Sequence, residues 1–246
     1  MCETTEIIQY RKDRTYMNKK WNALERSWLI LAIVLVLSAI IYKHITIVNG
    51  LTIFDIASDL SAVFGVIYVI CAAKQERRAY LFGIANVILY AIAVYSKGLY
   101  ISAGYNLLYS FPVMIYGYRY WGKVQNEETS GVKEFNVRQK ILGVILMLIA
   151  VCGLAMFSET FLGGENVWMD ALVSVLVCVA TFLLARKYIE QWLLFIIANF
   201  MGIILFFPKS LNDMGSIDLF VMWIVYFINS FYGYITWKES LRGESK

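Results

Sequence analysis

The sequence predicts an all-α integral membrane protein of eight transmembrane helices. One N-terminal helix precedes two parallel three-helix repeats joined by a single inverting helix, in 1 + 3+1+3 order. Three observations predict this: how few charges the chain carries, how its apolar residues are grouped, and where its lysines and arginines fall. Of 246 residues, 60% are apolar and only 16% charged, against roughly 25% charged in ordinary soluble domains. So few charges cannot cover a soluble surface. The same figures exclude a disordered chain, and a net charge of +4 spread along the sequence excludes a phosphate-tracking, nucleic-acid-binding surface. Cys2, Cys71, Cys152 and Cys178 form no Cys-x-x-Cys pair, and the last three lie in apolar runs. They predict neither a disulfide framework nor a metal site.

A bilayer core about 30 Å thick requires about 20 apolar residues per spanning helix. The first such run, 28–48, follows a polar segment of mixed charge. That segment lacks the short basic start and small-residue cleavage site of a cleavable signal, so the run reads as a retained signal anchor. Next come 53–73, 79–96 and 99–121, then 139–158, then 166–185, 191–208 and 216–237. The runs are continuous, whereas barrel strands alternate in segments of about ten residues. Trp28, Trp121, Trp168 and Trp237 fall at the ends of runs, where interfacial anchors belong. Orientation follows from the 22 lysines and arginines. Nineteen fall on one side of the eight-span arrangement and three (Lys43, Lys97 and Lys209) on the other, so both termini are expected in the cytoplasm.

The chain also resembles itself. Phe82-Gly-Ile-Ala-Asn86 matches Phe195-Ile-Ile-Ala-Asn199, 113 residues later. Tyr116-Gly-Tyr118 followed by Trp121 matches Tyr232-Gly-Tyr234 followed by Trp237, 116 residues later. Asp55 and Asp170 open the two units at an offset of 115. The expected organisation is therefore a cytoplasmic N-terminus and extra helix (1–49), a first repeat (50–121), and a cytoplasmic loop with the inverting helix (122–160). A second repeat (161–237) and a cytoplasmic tail (238–246) complete it. Parallel repeats of this kind build transporters, whose substrate sites lie near the midplane between the repeats. Duplication in a membrane scaffold or enzyme is the bland alternative.

Polar groups inside such helices face a bundle interior or a wet cavity. Phe82, Asn86 and Tyr90 share one helical face at i, i+4, i+8, and Trp192, Phe195 and Asn199 share another at i, i+3, i+7. Trp223 and Tyr226 lie on one face with Ser230, and Asn229 follows Tyr226 by three residues; Asn106 and Tyr109 form the matching pair in the first repeat. Carboxamides donate and accept, and ring faces stack on an aromatic base, more strongly if it is cationic. The candidate substrate-binding set is thus Asn86, Tyr90, Asn106, Tyr109, Trp192, Phe195, Asn199, Trp223, Tyr226 and Asn229. The competing reading makes these asparagines interhelical glue at about 0.6 kcal/mol each.

Other signals carry less. Gly117 to Lys123 spells Gly-x-x-x-x-Gly-Lys, but Val124 stands where a phosphate loop needs Ser or Thr, and a helix rather than a strand precedes it. His44 is the lone histidine, so neither a metal cluster nor a Ser-His pair is expected, and no catalytic residue or cofactor. Asp55, Asp59, Asp170 and Asp218 lie near the outer helix ends and read as caps or solvated entrance groups, with a coupling-ion role as the lesser alternative. No carboxylate sits at mid-helix opposite a Lys or Arg, the arrangement a proton relay favours.

The segments FGIANVILYAIAVYSKGLY, YNLLYSFPVMIYGYRYW, WLLFIIANFMGIILFF and INSFYGYITW resemble the nicotinamide riboside transporter family, PnuC. The resemblance spans about residues 50–240. The family's aromatic-x-x-x-Asn-x-x-x-aromatic box matches Phe82, Asn86 and Tyr90 in the first repeat. In the second it matches Phe195 and Asn199, with Ile203 in the last place and Trp192 one turn earlier. The resemblance implies a full-length, SWEET-like vitamin carrier in the inner membrane of a bacterium. It implies facilitated diffusion by alternating access, with uptake feeding NAD biosynthesis, and a homo-oligomer, expected to be a trimer. The partners expected are a small-molecule substrate and membrane lipids, with no nucleic acid. Thiamine or another nucleoside on the same framework is the alternative within this class, and a membrane-embedded enzyme is the alternative outside it.

Overall fold

The structure, a computed structural model, describes residues 21–46, 52–124, 131–163, 166–212 and 216–244, with the side chains of 208–212 and 243–244 excepted. Cys2, the polar start of the chain and residues 125–130 of the expected cytoplasmic loop lie outside the described residues. The described chain is almost wholly helical: α1 (Ala23–Thr46), α2 (Ile53–Ala73), α3 (Ala79–Tyr95), α4 (Tyr100–Tyr105), a π-helical turn (Asn106–Ser110), α5 (Phe111–Val124), α6 (Val137–Phe161), α7 (Val167–Ala185), α8 (Gln191–Asn212) and α9 (Ile217–Glu244). Five of them, α1, α2, α6, α7 and α9, are long and apolar enough to cross a membrane, and α3 and α8 contain shorter apolar helices. The chain is a multi-pass membrane protein.

Polar caps, rather than the ends of the apolar runs, set several boundaries. Asn22 and Glu25 bond each other's backbone N–H at 2.8 Å, a capping box that starts α1 before its apolar run. Thr52 with Asp55 and Asn136 with Gln139 do the same for α2 and α6. The outer face of α6 is exposed and apolar, with Ile141, Leu142, Ile145, Leu148 and Ile149 in the open, as a lipid-facing helix requires.

Two expectations need correction. The run 99–121 is not one regular helix: α4 ends after six residues and the chain passes through the π-helical turn into α5. Pro112 supplies no N–H, so the ladder resets just before it, and the Phe111 N–H bonds the carbonyl of Asn106 five residues back. Trp121 and Trp237 are not interfacial anchors either; both are fully buried. The Trp121 indole donates to the Leu184 carbonyl at 3.3 Å, and the Trp237 indole donates to the Ala73 carbonyl at 3.2 Å. Trp168, by contrast, is exposed.

These indole bonds tie α5 to the end of α7 and α9 to the end of α2. The opposite ends are tied as well. Ser102 on α4 donates to Asp170 on α7, and Ser58 on α2 donates to Asp218 on α9. The segments ahead of α1 and α6 also correspond. Trp21 donates to Glu76 Oε1 at 2.6 Å, and 114 residues later the Phe135 N–H donates to Glu190 Oε1 at 2.8 Å.

Candidate functional site

Between the two ties lies a cavity walled by α2, α3, the α4–α5 segment, α7, α8 and α9; neither α1 nor α6 lines it. Asn86, Tyr90, Asn106, Trp192, Phe195, Asn199, Trp223 and Tyr226 all line this one space. Helical spacing explains why each set arrives together. Asn86 and Tyr90 are four apart on α3, and Trp192, Phe195 and Asn199 recur every three to four residues on α8.

Two expected residues lie elsewhere. Asn229 donates to the Val69 carbonyl at 2.9 Å and accepts from the Trp28 indole at 3.4 Å, joining α9 to α2 and α1. Tyr109 sits beside the Cys178 thiol of α7, outside the cavity lining. The π-helical turn is the reason. It advances each residue by a smaller angle than an α-helix does, so i+3 swings off the face of Asn106 and i+4 swings onto it. Ser110, at i+4, lines the cavity instead.

Sequence reasoning also missed Tyr68, Tyr105, Thr181 and Leu184, which line the cavity too. The repeat carried the signal for Ser110, which lies 116 residues before the expected Tyr226; Tyr68 and Leu184 are also 116 apart, but neither was in the expected set.

The cavity is mostly apolar, with a few carboxamides and hydroxyls, and among the described residues no Asp, Glu, Lys, Arg or His lines it. The Asn86 amide donates to the Ser61 carbonyl and hydroxyl at 2.9 and 3.1 Å, the Asn199 amide to the Ser230 hydroxyl at 2.7 Å, and the Asn106 amide to the Ser102 carbonyl at 2.7 Å. These bonds spend amide hydrogens, which leaves carboxamide oxygens as acceptors for a guest. Among the described residues, five lining groups have no hydrogen-bond partner: the Trp192 and Trp223 indoles and the hydroxyls of Tyr68, Ser110 and Tyr226. Leaving a buried donor unmade costs about 1–3 kcal/mol. A ligand carrying hydroxyls and an amide would satisfy them. The rings of Trp223 and Tyr90 stand edge to face at 6.3 Å, and those of Trp192 and Phe195 are tilted at 6.0 Å, so aromatic walls face the guest from both repeats.

The charged residues stand apart from this space. Asp59 and Asp218, read from the sequence as caps or solvated entrance groups, are buried in an ion cluster around Lys43, itself fully buried. Its ammonium lies 2.7 Å from Asp59, 3.2 Å from Asp218 and 3.8 Å from Asp55, and His44 also bonds Asp59 at 2.6 Å. The abortive phosphate-loop pattern has a packing explanation. Gly117 lies where a Cβ would come within 2.3 Å of the Tyr80 ring, so only glycine seats that ring.

The model of a family described as "Nicotinamide mononucleotide transporter" matches residues 55–239. Curated relatives named nicotinamide riboside transporter PnuC include that of Neisseria mucosa, 32% identical over 76% of this chain and 74% of its own length. Those of Haemophilus influenzae and Escherichia coli are 23% and 25% identical, over 74% and 71% of this chain and 79% and 84% of theirs. A crystal structure of the vitamin B3 transporter PnuC superposes with a TM-score of 0.76 at 27% identity, covering 92% of this chain and 97% of that one.

Proposed function

The chain belongs to the nicotinamide mononucleotide transporter family, and on that premise we propose that it carries nicotinamide riboside across the membrane through the central cavity. It is a transporter, not an enzyme. The observation that carries the choice of substrate is the uncharged, aromatic and donor-rich lining. The riboside offers a cationic pyridinium to the ring faces of Trp192, Trp223, Tyr90 and Phe195. Its carboxamide and sugar hydroxyls meet the unpartnered indoles and hydroxyls and the oxygens of Asn86, Asn106 and Asn199. The mononucleotide adds a phosphate, which would lose its hydration against a wall that holds no cation among the described residues, at a cost of several kcal/mol.

Closure at both ends supports alternating access by facilitated diffusion: indole–carbonyl bonds lie on one side of the cavity and carboxylate–hydroxyl bonds on the other. The ties recur at offsets of 111 to 116, which supports two parallel repeats over 50–121 and 161–237 with α6 as the inverting helix. The basic residues support eight spans with cytoplasmic ends in the inner membrane of a bacterium, and we extend the family expectation of a homotrimer to this chain. Calorimetry on the purified protein tests the substrate. Nicotinamide riboside should bind, while the mononucleotide and thiamine should bind at least about a hundredfold more weakly, the equivalent of about 2.7 kcal/mol. Equal binding of either competitor would overturn the choice.

A further inference from the structure

Two seams join the repeats where α2, α4, α7 and α9 begin, the face that the topology above turns outward. Each is closed by a carboxylate on a serine hydroxyl, yet they are built differently. At the α2–α9 seam, Asp218 accepts from Ser58 and also from the Lys43 ammonium at 3.2 Å; the same ammonium holds Asp59 at 2.7 Å. Lys43 belongs to α1, and α1 fastens this seam at two further levels. Trp28 bonds Asn229 of α9, and Glu25 accepts from both Tyr232 of α9 and Lys74, which follows α2. At the α4–α7 seam, Asp170 accepts only from neutral groups: the hydroxyls of Ser102 and Ser174 and the Ile101 N–H at 3.2 Å. Among the described residues no cation reaches Asp170 within ion-pair distance. The helix beside this seam, α6, packs Ala155 and Val151 against Ile101 and Ala171.

The two third helices differ as well. The α9 helix runs unbroken for 28 residues. In the other repeat, α4 is a six-residue piece set between Gly98, at φ 72°, and the π-helical turn of Asn106–Ser110. Irregular turns of this kind concentrate at functional sites and act as hinges. The same turn contributes Asn106 and Ser110 to the cavity wall, and the Asn106 amide bonds the carbonyl of Ser102, the residue that clasps Asp170.

We propose that α4 is the outer gate, swinging about the π-helical turn when the Ser102–Asp170 clasp parts, and that the α2–α9 seam, bolted by Lys43 of α1, is the hinge that stays shut. Parting the α4 clasp only exchanges hydroxyl donors for water around Asp170. Parting the other would separate a buried ammonium from its carboxylate, which costs far more. A guest touching Asn106 thereby touches the gate. This inference rests on the transport reading for its purpose, but its test does not.

In a background freed of native cysteines, Thr181→Cys places a reporter thiol in the cavity, and its labelling by a membrane-impermeant thiol reagent from outside measures outward opening without any substrate. Ser102→Ala should raise that rate about tenfold, the shift expected for losing one hydrogen bond to a charged group. Ser58→Ala should leave it near the parent rate, because Lys43 still holds Asp218. Ser102→Cys with Ser174→Cys, whose parent hydroxyls lie 3.1 Å apart, should form a disulfide that stops both external labelling and riboside uptake until it is reduced. Undiminished labelling of the cross-linked protein, or Ser58→Ala opening it as much as Ser102→Ala, would overturn the proposal. Loss of riboside uptake in the parent alone would instead count against the transport reading, with labelling still judging the gate.

Discussion

Trp223 lies against the backbone of Gly202, so closely that a Cβ at residue 202 would come within 2.5 Å of the indole ring. The glycine of α8 is thus what lets a large ring of α9 stand in the cavity wall with its N–H unpartnered. Gly202→Ala should push Trp223 out of register and weaken riboside binding by about tenfold or more, since overpacking costs about 1–3 kcal/mol. Gly153→Ala, on α6 with nothing within 4 Å, is the control and should bind like the parent. Titration calorimetry on both variants decides the matter.

Asn199 and Asn229 should separate binding from packing. Asn199→Leu removes a cavity carboxamide and should lower affinity about tenfold while Tm stays close to the parent value. Asn229→Leu removes the link from α9 to Val69 and Trp28, so Tm should fall while affinity is kept. Unchanged binding in Asn199→Leu would make that residue glue as well.

Removing the Lys43 ammonium should be severe. Lys43→Met strands Asp59 and Asp218 without their cation and should destabilise the protein by about 3–5 kcal/mol. Adding Asp218→Asn should recover part of that loss, because one stranded charge is then gone. Thermal unfolding in detergent reads both variants; equal stability of the single variant and the parent would show the cluster to be energetically idle.

Transport should be downhill. The ionisable groups of the outer cluster, Lys43, Asp55, Asp59 and Asp218, stand outside the cavity lining, as does Asp170. In proteoliposomes the internal riboside concentration should level with the external one, and an uncoupler should change nothing. Accumulation that the uncoupler abolishes would contradict this.

Reporter fusions at the two ends should both report cytoplasm, because 19 of the 22 basic residues fall on that side of an eight-span arrangement. Ends found in opposite compartments would break the eight-span count.

The sequence alone determined what is periodic or additive. Few charges and continuous apolar runs dictate membrane helices, because lipid leaves the backbone no other partner than itself. Helical spacing put Asn86 with Tyr90, and Trp192 with Phe195 and Asn199, on single faces. The self-match near 115 residues paired the repeats. Only the tertiary structure decided what depends on which faces meet. Lys43 finds Asp218 across 175 residues of sequence, and no local pattern encodes that distance. Trp121 and Trp237, which their places at the ends of apolar runs assign to the interface, are drawn inside because each indole has a carbonyl of another helix to bond. The π-helical turn, set by Pro112, rotates Tyr109 away and Ser110 inward, so a spacing rule that holds for a regular helix misassigns one position there.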